Sequence, residues 1–273
     1  MSTPVSISTP VSTITPVAGP VSLRRVLRSE WTKFRSLRST WWSIAITVLA
    51  AVGVGVLVTA TTAGNHATSV DPVTVAGRSQ LGGLISQLAV GVLAVLFISG
   101  EYGTGMIRSS MIAVPRRLPV LWAKIGVFAA VVLPVTLVSS LVAYALGQVV
   151  WRSHGKPAIA LTDPGVARVV LGAAVCIMLT GLIALAIGTL VRNTAAGITT
   201  MVGLYFVLPI LAGNMPQRIA EQSRFLPSNA SGAVWNASIS PTSMTPTNGF
   251  ILLCVYTVVL AAAAAWRLRR GDV

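Results

Sequence analysis

The chain has 273 residues, of which 54% are hydrophobic and only 10% charged, and its mean hydropathy is +0.80. Soluble domains carry about 25% charged residues, so the composition excludes an ordinary water-soluble domain and leaves a membrane protein with room for about six spans and short connections. The formal charge of +14 sits beside apolar runs rather than on a water-soluble face, which favours the membrane surface over nucleic acid as its partner. Cys176 and Cys254 fall inside apolar runs, so neither a disulfide framework nor a metal site is indicated.

Residues 1–22 are rich in Ser, Thr, Pro and Val, with Thr-Pro-Val-Ser at 3–6 and again at 9–12. Low charge and frequent proline predict a disordered tail. It has neither the basic start nor the continuous apolar core of a signal peptide. Residues 23–273 read as one integral domain. From 22 to 40 the pattern becomes a basic amphipathic helix: Leu23, Val26, Leu27, Trp31, Phe34 and Leu37 fall on one face, Arg24, Arg25, Arg28 and Arg35 on the other. Such a helix lies in the membrane interface. Glu30 lands near the middle of the apolar face. Two explanations stay open, a sideways reach to Lys33 three residues on and contact with a protein partner.

Six apolar runs follow, at about 41–62, 80–99, 121–149, 168–190, 195–213 and 249–266, each near the roughly 20 residues a spanning helix needs. The fold class is therefore all-α and membrane-spanning. Between the second and third runs, residues 100–124 carry Glu101, Arg108, Arg116, Arg117 and Lys124. Three arginines at the bilayer centre would cost about 8–10 kcal/mol, so this segment belongs in water beside the membrane. Residues 104–114 can form a short helix, with Gly100, Gly103 and Gly105 before it and Pro115 ending it. Pro134 is expected to kink the long third run. The fourth and fifth runs form a tight hairpin with Arg192 at its tip. In the last loop, 214–248, residues 216–225 can make a short helix, and Val234, Trp235 and Ile239 are expected to dip into the interface.

Charge orients the bundle. With the N-terminus inside, 14 of the 20 basic residues fall on cytoplasmic segments, and the bias predicts a multi-pass protein of the plasma membrane with both termini cytoplasmic.

Glu101, then Gly103-Thr104-Gly105-Met106-Ile107, then Pro115-Arg116-Arg117 and Lys124, resemble the cytoplasmic loop after the second span of ATP-binding-cassette type-2 permeases. Glu30-Trp31-Thr32-Lys33 with Arg35 and Arg38 is similar to the start of actinobacterial members. The resemblance implies that the loop is a cytoplasmic coupling helix seated in a separate ABC ATPase subunit, and that the first helix touches the same subunit. Glu101, Gly105, Arg108, Pro115, Arg117 and Glu30 would then couple the chain to the ATPase. It also implies a second permease protomer, in a homodimer or a heterodimer, with a cavity faced by the second and fifth spans. Gln87, Thr199 and Tyr205 are then candidates for a substrate path, although polar residues in spans most often join helix to helix, as do small ones such as Gly172, Gly181 and Gly188.

The chain has no G-x-x-x-x-G-K-[ST] phosphate loop, since none of Lys33, Lys124 and Lys156 completes it. His66 and His154 lack ligand spacing, and neither H-E-x-x-H nor G-x-S-x-G occurs. No Asp, Glu, Lys or His lies well inside a span, whereas ion-driven carriers keep such groups in their pathway. The reading is a non-enzymatic transport subunit with no cofactor of its own, exporting a substrate with ATP and Mg bound by the partner ATPase. Its rivals are a non-transporting membrane anchor or immunity protein that recruits a cytoplasmic partner, and an uncoupled channel or ion-driven carrier.

Overall fold

The computed structural model describes residues 22–64, 71–103, 118–235 and 244–270, apart from the side chains of 101–103 and 217–219. Among these residues there are helices, turns and no strand. Six helices are long and apolar enough to cross a membrane, as the six runs require. The tail at 1–21, the short helix expected at 104–114, and Ile239 lie outside the described residues.

Helix α1 spans Leu23–Ser36 and α2, the first span, Arg38–Gly64. The expected amphipathic helix to residue 40 is thus cut short. Leu37 takes an extended conformation between the two helices, and the Trp41 indole donates to the Arg35 carbonyl at 3.1 Å, satisfying one of the carbonyls that a helix end leaves open. A helix that follows the interface and one that crosses the bilayer cannot share one axis, and Leu37 supplies the break.

Helix α3, Pro72–Ser79, is short. Asp71 caps it by accepting from the Thr74 amide at 2.8 Å and the Thr74 hydroxyl at 2.6 Å, and Pro72 occupies a position where no N–H is needed. These hydrogen bonds to Thr74 hold the Asp71 carboxyl below its ordinary range, against a smaller opposing effect of burial. After a turn, α4 (Gly83–Gly103) forms the second span. Helix α5, Leu118–Ser153, is the third, and it continues through Pro134 as one helix. Helix α6, Val166–Val191, is the fourth. Arg192 caps it with a positive φ of 59°, and Asn193 opens α7, Thr194–Gly213, by accepting from the Ala196 amide. This is the tight hairpin with Arg192 at its tip. A π-helical turn at Gly203–Val207 interrupts α7.

The last loop holds α8 (Gln217–Gln222), a 3-10 turn (Ser223–Phe225) and α9 (Pro227–Trp235) before the sixth span, α10, Pro246–Arg270. The short helix expected at 216–225 is present. Val234 and Trp235, by contrast, are enclosed by neighbouring helices rather than left open to a membrane interface. They are buried, because α9 packs on α6 and α10 and Arg168 donates to the Val234 carbonyl at 2.7 Å.

The bundle is built around α6, whose apolar side chains run all round the helix, the pattern of a helix enclosed by others. It is 72% buried in its most apolar stretch, against 17–22% for α2, α7 and α10, and it meets α4, α5, α7, α9 and α10. Small residues let the helices close up. A Cβ at Gly188 would press on Ile98 of α4, and one at Gly55 of α2 would overlap the Ser79 carbonyl. Polar side chains inside the bundle stitch it together. Ser86 donates to the Thr47 carbonyl at 2.8 Å, Thr136 reaches the Ala174 carbonyl at 3.1 Å, and the Ser140 hydroxyl lies between Gln80 Oε1 at 2.7 Å and the Val170 carbonyl at 2.6 Å.

Candidate functional site

Val26, Glu30 and Phe34 follow one another at four-residue steps, which on a helix places them in one stripe. All three are buried, and α1 packs on α5 through them. Arg24, Arg25 and Arg28 are exposed, as the amphipathic pattern requires, whereas Leu23 and Trp31 are about half exposed. The apolar face therefore divides into a stripe that binds the bundle and a flank open to the surroundings, where hydrocarbon suits it.

Glu30 is 2% exposed and Lys124, in the first turns of α5, is 0% exposed. Lys124 Nζ donates to Glu30 Oε2 at 2.6 Å, and Lys33 Nζ donates to Glu30 Oε1 at 2.8 Å. The reach to Lys33 expected from the sequence is present, and the other oxygen is taken by the chain's own third span. Both carboxylate oxygens have charged donors, the condition under which a buried carboxylate is tolerable. The Lys124 ammonium also sits 4.3 Å from the centre of the Phe97 ring, near the end of α4, within reach of a cation–π attraction.

The aromatic rings close the cluster. Phe34 meets Phe97 edge-on, with centroids 4.9 Å apart and planes at 87°, and meets Phe128 of α5 at 6.4 Å with the same angle. T-shaped pairs at these separations add to simple burial. Helices α1, α4 and α5 thus meet at Glu30, Phe34, Phe97, Lys124 and Phe128. The start of α7 joins α4 close by, where the Thr194 hydroxyl donates to Ser99 Oγ at 2.8 Å. Residues 104–117 connect α4 to α5, so the cluster clamps the two helices that bracket that segment.

Of the coupling residues expected from the sequence, Glu30 is in this clamp. Glu101 lies in the last turn of α4, with its side chain outside the described set, and Gly105, Arg108, Pro115 and Arg117 are outside the described residues. The path candidates do not share one environment. Gln87 is buried and donates to Ser231 Oγ of α9 at 3.1 Å, the helix-to-helix role such residues usually have. Tyr205 is buried in the π turn of α7. Thr199 is exposed and donates to the Ala195 carbonyl of its own helix.

The sequence reading missed the role of Lys124, which it placed among the loop bases, and it did not single out Phe97. A signal existed. Lys124 interrupts an apolar stripe of Val120, Leu121, Val127 and Phe128, just as Glu30 interrupts that of α1, and two opposite charges that each break an apolar face are candidates to meet. Compared with known proteins, the chain matches no protein-family model and no curated protein.

Proposed function

We propose that this chain is the membrane-spanning permease subunit of an ATP-binding-cassette exporter, driven by ATP hydrolysed on a separate ATPase subunit. The observation that carries the proposal is the clamp of α1 on the bases of α4 and α5, the helices joined by residues 104–117. Those residues resemble a coupling loop, and a coupling loop needs rigid supports at both ends, or the ATPase's motion would be lost as local bending. Glu30 acts here as a strut inside the chain rather than as a surface contact, and Arg24, Arg25, Arg28 and Arg35 are basic side chains of α1 open to a partner or to anionic headgroups.

In this reading α1, residues 104–117, Arg192 and the end of α10 face the cytoplasm, following the excess of basic residues at that end. The substrate path runs along the exposed side of α7, where Thr199 and Thr200 stand open, and is completed by a second protomer. The deciding experiment is mild extraction of the tagged chain from its native membrane, with identification of the proteins that come with it. An ATPase carrying a phosphate loop is the expected companion. Isolation with a different cytoplasmic protein and no ATPase would favour a membrane anchor and reject the exporter.

A further inference from the structure

One groove on the outside of the bundle has a chemistry that the clamp does not use. Helix α10 packs closely on α6 but only lightly on α5, so α5 and α10 part and Leu182 of α6 floors the gap. Ala261, Ala262 and Ala265 hollow the α10 wall, and the resulting space is about 460 Å³. Trp122 of α5 and Trp266 of α10 flank it, 52% and 58% exposed. Arg269, three residues beyond Trp266 and so on the same face, also lines it, and Arg267 and Arg270 share the last turn.

The lining changes along α10 in the order in which a lipid changes from tail to head. The alanine-walled part suits a hydrocarbon chain. Indole rings, apolar in body with one polar N–H, belong at headgroup depth, and a cation beyond them is placed for a phosphate. A second copy of this chain is a poorer occupant: it carries 6 acidic residues against 20 basic, and Glu30, one of the six, is already buried in an ion pair. We propose that the groove between α5 and α10 binds a phospholipid with an anionic headgroup, its acyl chain along Ala261, Ala262 and Ala265 and its phosphate at Arg269. The inference rests on the membrane-spanning fold alone and does not depend on the exporter reading.

The test uses the full chain, equilibrated in detergent with equal amounts of phosphatidylglycerol and phosphatidylcholine, with retained lipids counted by native mass spectrometry. The wild type is expected to retain phosphatidylglycerol preferentially. Arg269→Gln should reduce that preference about fivefold, the worth of one basic residue near a charged surface, while lipid is still retained. Filling the groove with Ala262→Leu and Ala265→Leu should reduce retention of both lipids, whereas Val255→Leu, exposed on α10 outside the groove, should change neither. An unchanged lipid ratio in Arg269→Gln, or unchanged retention in the filled groove, would overturn the proposal. So would conversion of a dimer to monomers by the filled groove, because a second copy would then be its occupant.

Discussion

Lys124 Nζ lies 2.6 Å from Glu30 Oε2, across 94 positions of sequence and with both side chains almost wholly buried. Removing one member of such a pair costs about 3–5 kcal/mol, while replacing both by apolar groups of similar size is often neutral. Glu30→Gln is therefore expected to lower the thermal midpoint of the purified protein strongly. Lys124→Met should be milder, because Lys33 still neutralises Glu30. The double variant Glu30→Gln with Lys124→Met should lose less than the sum of the single changes, the mark of a direct interaction. Strict additivity of the midpoints would show that the pair does not hold α1 in place.

Phe34 and Trp31 lie on the same half of α1 but in different surroundings, the first against Phe97 and Phe128, the second about half exposed. Phe34→Ala should cost about 3–5 kcal/mol. Trp31→Ala should leave the thermal midpoint in detergent nearly unchanged and weaken only the partition of α1 into bilayers. Equal destabilisation in detergent would contradict the division of the apolar face.

The cap of α3 gives a pH dependence whose sign can be fixed. The Asp71 carboxyl has a lowered pKa in the folded protein because it accepts from Thr74. Its stabilising contribution is complete above the ordinary carboxylate range and is lost as pH falls through the lowered folded value. Amide exchange within α3 should accelerate, relative to its intrinsic rate, as the medium is acidified through that range. Asp71→Ala, at a cost of about 1 kcal/mol, should abolish the acid-dependent component. Retention of that component in the variant would place its origin elsewhere.

Orientation is testable at two exposed positions, Ser29 on α1 and Thr162 in the connection between α5 and α6. The native thiols give a low background, Cys176 being buried and Cys254 half-buried in a span. Applied to intact cells, an impermeant thiol reagent should modify a cysteine at Thr162 and spare one at Ser29 until the membrane is opened. The reverse pattern would invert the bundle and place the clamp outside.

The six spans were legible because long apolar runs have few alternatives, and α1 because its basic and apolar residues separate at helical period. The break at Leu37 was hidden, since an apolar residue there continues the period and nothing in its type signals an extended backbone. Helix α3 was overlooked although Asp71-Pro72 carries a start signal, because eight residues give too little period to read. Apolarity alone points Val234 and Trp235 to the interface; their burial depends on α9 folding back onto α6, a tertiary contact. The same holds for the clamp. Glu30 was visible as an exception, but its partner lies two spans away, and only the packing of α1 on α5 brings them together.

Under the proposed function, this chain governs an ATPase through the clamped bases of α4 and α5. The most direct test is the rate of ATP turnover by the co-purified ATPase, measured alone, with the wild-type chain in lipid nanodiscs, and with chains carrying Glu30→Gln or Lys124→Met that remain folded and bound at low temperature. The wild-type chain is expected to change the turnover rate, and both variants to bring it back toward that of the ATPase alone. A rate indifferent to the chain, or altered equally by wild type and variants, would contradict it.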